Sequence, residues 1–178
     1  MRYYKYLLGL TIICSTLLIL PKASQAEFNP NYIISDAEIL DENAMSQIEI
    51  QNLLTSQGGF LATYTVTDPN VQNLSAAQAI SERARNSHIS PKFIIVLLQK
   101  EQSLIDSKNP SQRALDWATG YGCPDSGGCN DRWKGFWKQI NSASLQFRDY
   151  MDNPQLYRYR AGQTYTITNT GRDPQVVT

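Results

Sequence analysis

Ile89-Ser90-Pro91-Lys92-Phe93-Ile94-Ile95-Val96-Leu97-Leu98-Gln99-Lys100-Glu101-Gln102-Ser103 is the stretch whose reading decides the fold. Ser90 is a candidate cap, and Pro91 falls at the first helical position, where its missing N–H costs nothing. Six apolar residues follow without interruption. A run this short and branched also suits a buried strand, but the start signals favour a helix to about Ser103 or Leu104. Being apolar on most of its surface, it is expected to be central.

Glu101 is the outlier. Residues three, four, seven and eight places before it are Leu98, Leu97, Ile94 and Phe93. Side chains at these spacings share a helix face, so Glu101 points where the core residues point. Partial burial and the negative end of the helix dipole both favour the protonated carboxyl, and a carboxyl kept neutral near pH 7 can act as a general acid. The bland alternative is a Glu that leaves the core at a helix end and pairs with Lys100 or Arg113.

Working outward, Ser75 caps a helix to about Asn86 with Ala76, Ala77, Ala79, Ile80 and Ala84 on one stripe. Asp41 to Leu54 reads as a helix stopped by Gly58-Gly59, and residues 27–36 as an extended lead-in. Phe60 to Thr67 is strand or irregular, followed by a turn at Asp68-Pro69-Asn70. Phe136, Ile140, Ala143 and Phe147 lie on one face of a helix to about Met151. Leu156 to Ile167 alternates as an extended segment. Arg83 and Arg85 read as a solvated helix face. Tyr157, Arg158, Tyr159 and Arg160 fit a surface lining or an edge strand equally well.

Residues 105–135 form a long Gly/Asp/Asn-rich loop, with Ala114 to Ala118 about one turn of helix; long loops in compact domains are often functional. The loop offers Asp116, Asp125 and Asp131 as partner carboxylates and Trp117, Tyr121 and Trp133 as flat faces for a sugar ring. Taken singly, each of these aromatics suits a core position as well.

The 178 residues suggest one domain. Arg2 and Lys5, the apolar run Leu7 to Leu20 and Ser24-Gln25-Ala26 have the layout of a secretory signal peptide, residues 1–26. The run is too short for a comfortable bilayer crossing of about 20 residues. Without this segment, 152 residues remain with 13 basic against 16 acidic side chains, a net of −3. That argues against nucleic acid as a partner, says nothing against a neutral glycan, and leaves no membrane contact beyond the export signal. Cys123 and Cys129 are expected to form a disulfide outside the cytoplasm. A metal site is the rival, but two sulfurs and His88 fall short of four ligands unless carboxylates join, so no metal or cofactor is expected. One histidine also argues against a Ser-His-Asp or Cys-His hydrolase.

The Ile89–Ser103 stretch resembles the catalytic helix of soluble lytic transglycosylases and related lysozyme-like enzymes, in which an x-Pro start leads through apolar residues to a Glu-Ser pair. Glu101 falls on the family's single catalytic acid. Gln102 replaces its serine, and Ser103 comes one place later. Gly135-Phe136-Trp137-Lys138-Gln139-Ile140 is similar to the family's Gly-Leu-Met-Gln-Ile segment, though later in the chain. Leu98 to Gln102, Ala118 to Cys123 and Gly135 to Gln139 also look like motifs shared by a group of secreted bacterial proteins. The resemblance implies a mainly α, lysozyme-like domain over residues 27–165 with a short extended or β segment at its C-terminus. Residues 166–178 would be a polar tail; a lone strand there needs a partner, which leaves truncation open.

The implied function is a secreted or cell-envelope, monomeric, peptidoglycan-cleaving glycosidase or lytic transglycosylase acting on the β-1,4 link between N-acetylmuramic acid and N-acetylglucosamine. Glu101 would be its catalytic residue. Asp116 or Asp125 would be a second carboxylate in a hydrolytic route, and Ser103, Trp117, Tyr121, Trp133 and Gln139 would contact substrate. The alternative is a non-catalytic cell-wall glycan-binding module that has kept the fold.

Overall fold

The computed structural model describes residues 29, 32–69, 71–124, 127–168 and 175–177. The signal segment expected over residues 1–26 lies outside them. The chain is mainly helical. Helices α1 (Asp36–Leu40), α2 (Gln47–Gln57) and α3 (Ala76–Ser87) each begin with a reciprocal capping box. Ser35 pairs with Glu38, Ser46 with Glu49 and Ser75 with Gln78, so two backbone donors are satisfied at each start. The expected lead-in therefore ends in a helical turn.

Between α2 and α3, β1 (Thr65–Asp68) and β2 (Val71–Ser75) form an antiparallel hairpin, with Val66 opposite Leu74. Pro69 of the expected turn stands in the turn after β1, and Asn70 lies outside the described residues. Helix α3 is the hub. Its buried Ala76, Ala77, Ala79 and Ala84 carry little bulk, and it contacts α2, α4 (Pro91–Gln102) and α6 (Phe136–Asp152). Ile50, Leu54, Ile80, Ile94, Leu98 and Ile140 fill the space between these helices.

Helix α4 covers the expected residues but is not enclosed on all sides. Pro91, Ile94, Ile95 and Leu98 are buried, whereas Val96 is 62% exposed. Ser90 occupies the cap position without a side-chain cap bond; it is buried, and its N–H donates to the Ile39 carbonyl at 2.7 Å. Helix α5 (Gln112–Asp116) begins two residues before the expected turn. The extended stretch expected from Leu156 is a short 3-10 turn (Pro154–Leu156) and irregular backbone before β3 (Tyr165–Ile167). Strand β3 pairs antiparallel with β4 (Gln175–Val177), so the boundary expected at residue 165 falls inside a strand that finds its partner within the chain.

Arg83 does not lie on a solvated face. Its side chain is 16% exposed and its guanidinium sits 4.1 Å over the Trp137 ring. Its Nη1 donates to Asn141 Oδ1 at 2.9 Å, tying α3 to α6. Arg85 instead donates to Ser81 Oγ at 2.8 Å.

Candidate functional site

The loop from Trp117 to Gly135 is organised by one fully buried amide. Gln139 Oε1 accepts from the Thr119 N–H (3.2 Å), the Thr119 hydroxyl (3.0 Å) and the Tyr121 N–H (3.1 Å). Its Nε2 donates to the carbonyls of Tyr121 (2.9 Å) and Trp133 (2.8 Å). Every polar atom of the amide is committed to backbone or hydroxyl groups of the loop. Buried polar groups require such satisfaction, and here it also fixes the loop's path. Gln139, expected to touch substrate, instead braces the groove from inside.

The expected disulfide is present. Cys123 and Cys129 are joined six positions apart. Within the same loop Tyr121 and Trp133 meet edge to face at 5.2 Å between centroids. Gly122 has a positive φ of 73°, and a Cβ there would sit 2.5 Å from Trp133 Cδ1, so a side chain at this position would displace the indole. Trp117 is buried and serves the core.

Glu101 lies in the last turn of α4 with its side chain 30% exposed. Its Oε2 faces Gly120, where a Cβ would stand 3.5 Å away, in ordinary contact; the positive φ of 71° is what favours glycine there. Its Oε1 accepts from Lys100 Nζ at 2.6 Å, the pairing of the bland reading, on an ammonium that is 73% exposed. Ser103 is exposed and caps α4 in the left-handed conformation (φ 53°), its N–H bonded to the Gln99 and Leu98 carbonyls.

Asp116 is only 16% exposed; it accepts from Gln112 Nε2 (3.0 Å) and pairs with Lys134 Nζ (3.6 Å). Burial pushes the Tyr64 hydroxyl up, and the nearby Asp116 charge adds to the shift. Asp125 lies outside the described residues. From Tyr121 and Trp133 a shallow groove of about 220 Å³ runs along α6 past Ser142 and Leu145 to Asp149. Sequence reading missed Asn141, Leu145 and Asp149. Their only signal was helical spacing on the polar side of α6.

These features define a mainly α domain whose disulfide-braced loop and last long helix form an open groove that ends at Asp149, with Glu101 facing Gly120 of the same loop. Over residues 32–174 the chain matches the family model described as the LasA N-terminal domain, and it belongs to that family. Comparison with curated proteins and with solved structures returns no match. At a coarse level, family membership agrees with a secreted or cell-envelope setting and a peptidoglycan-related partner.

The family match corrects the resemblance to lysozyme-like enzymes and lytic transglycosylases. The mainly α part of the expected fold class holds; the lysozyme-like part does not. The β-1,4 glycosidase or transglycosylase activity falls with it, as does the alternative of a glycan-binding module retaining that fold. The physical reason lies in how short the shared stretches were. Ser90-Pro91 is a general way to open a helix. Gln139-Ile140 serves the interior of this domain, with both residues fully buried.

Proposed function

We propose that this chain is a recognition domain of the LasA type that holds the peptide part of peptidoglycan. LasA-type proteins are zinc endopeptidases directed at peptide cross-links. The donor set described here does not fit such a zinc centre. Zinc favours sulfur and imidazole ligands. Cys123 and Cys129 are consumed in a disulfide, and the ring of His88, the one histidine of the chain, bonds Glu42. Among the described residues no group of three or more His, Cys, Asp or Glu side chains could hold a metal ion. Recognition therefore suits these residues better than cleavage.

The observation that carries the reading is the Glu101 carboxylate, 30% exposed beside Gly120 and satisfied by an exposed lysine. A carboxylate at a helix C-terminus attracts a cation. Lys100 is an intramolecular stand-in, since an exposed ion pair contributes about 0–1 kcal/mol and is readily exchanged. Peptide bridges offer primary ammonium groups, and the groove lined by Tyr121 and Trp133 offers apolar contact to the adjoining chain.

The test is co-sedimentation with purified peptidoglycan and with glycan strands stripped of their peptides. Intact polymer should pellet the domain and stripped strands should not. Glu101→Gln should weaken binding roughly fivefold, equivalent to about 1 kcal/mol. Equal pelleting on stripped strands, or undiminished binding by Glu101→Gln, overturns the reading.

A further inference from the structure

A second pocket, of about 430 Å³, opens where α6 ends and the 154–163 segment turns back towards α1. Its walls include Tyr150, Met151, Pro154 and Tyr159, and two charged side chains of opposite sign, Arg160 and Asp36, also line it. The guanidinium is fixed before any ligand arrives. Arg160 Nε donates to the Tyr157 carbonyl at 3.1 Å and Nη2 to the Gln155 carbonyl at 2.9 Å. Both partners are neutral carbonyls, so the charge is held in place without being neutralised. Among the described residues no ion pair joins Arg160 to Asp36 or either of them to another group. Asp36 sits in the first turn of α1, next to the capping serine.

We infer that this pocket binds the free C-terminal carboxylate of a short peptide, with Arg160 as its anchor and Asp36 placed for an ammonium of the same ligand. A planar guanidinium suits a planar carboxylate, and anchoring it beforehand lowers the ordering cost of binding. A single cation opposed by a carboxylate disfavours multiply charged anions such as phosphate. The volume and the part-apolar walls suit one or two small residues. The inference deepens the reading of the domain as a peptide-recognition module and rests on it for the class of ligand, but it concerns a different pocket.

The experiment is an NMR titration of the whole domain with four probes: N-acetyl-alanyl-alanine, its C-terminal amide, unacetylated alanyl-alanine, and inorganic phosphate. The free acid should shift Tyr150, Tyr159 and Arg160 signals saturably, and the amide and phosphate should bind at least tenfold more weakly. Arg160→Gln should reduce affinity for the acid to that for the amide. Because Arg160 also holds two carbonyls, a second variant keeps the test independent of folding. Asp36→Asn should leave binding of the acetylated acid intact while weakening binding of unacetylated alanyl-alanine. Equal binding of acid and amide, tighter binding of phosphate, or indifference of both dipeptides to Asp36→Asn overturns the inference. Acid binding without pelleting on peptidoglycan would sink the Glu101 reading alone; pelleting without acid binding would sink this one alone.

Discussion

The Trp117–Gly135 loop and the Asn153–Ile167 segment flank the two ends of α6, and both are rich in aromatics, yet they are held by opposite means. The first is clamped from inside, by the fully buried Gln139 amide and by a covalent bridge. The second is held from the surface. Tyr150 meets Tyr157 at 4.5 Å, Tyr159 meets Tyr165 at 5.1 Å, and the Tyr157 hydroxyl donates to Asp149. An inside clamp resists solvent and pH, because its bonds are made away from water. A surface clasp stays open to titration and ligand exchange. The two candidate sites inherit this difference, one on a braced loop and the other beside an exchangeable clasp.

The sharpest way to break the comparison is Gln139→Leu. The substitution keeps much of the volume and removes the partner of three donors and two acceptors, several of them buried. Each buried group left unsatisfied costs about 1–3 kcal/mol. Loss of about 3–5 kcal/mol is expected by denaturant titration, since relaxation and water recover part of the total. A loss below about 1 kcal/mol would mean the loop is held by something other than the amide.

The bridge should matter less. It closes a short ring, its cysteines six positions apart. Chain-entropy arguments give about 2 kcal/mol for a ring of this size. The double variant Cys123→Ser/Cys129→Ser should therefore remain folded with a lower denaturation midpoint, while the Tyr121–Trp133 contact loosens. If this variant were the more destabilised of the two, the covalent part of the clamp would dominate and the comparison would need redrawing.

The same contrast explains what could be read in the sequence. Helices α3, α4 and α6 were legible because caps, proline and apolar spacing agree there. The disulfide was legible from two cysteines behind an export-like leader. Strand β2 was not, because Val71-Gln72-Asn73-Leu74-Ser75 has little alternation and depends on β1 for its pairing. The role of Gln139 was hidden for a different reason. A glutamine on a helix looks the same whether it meets a ligand or a buried backbone, and only the fold shows five bonds closing inward. Glu101 was placed correctly at the end of a half-buried helix face, but no periodicity shows Gly120 opposite it. The short motifs around Glu101 and Gln139 reflect local structural needs, which is why they suggested the wrong family.

The smallest effect, and the one most specific to the surface clasp, belongs to Tyr157→Phe. Hydrogen bonds from the Tyr157 hydroxyl and then from Asn153 hold the Asp149 carboxyl below its ordinary range, against a smaller opposing effect of burial. A carboxylate whose folded value is depressed adds stability above its unfolded value near 4, and that contribution fades as pH falls through the folded value. Wild type should therefore exceed Tyr157→Phe in stability at pH 6–7, and the gap should close in acid. The bond to Asp149 also pushes the Tyr157 hydroxyl up, so the same gap should narrow above pH 10 as the phenol ionises. Thermal melts of both proteins across this range measure it. Gln139→Leu should show no such acid-sensitive gap, because neither the amide nor its partners titrate. Equal stability of the two proteins at every pH would mean that ring packing, which phenylalanine keeps, and not the hydroxyl holds the segment.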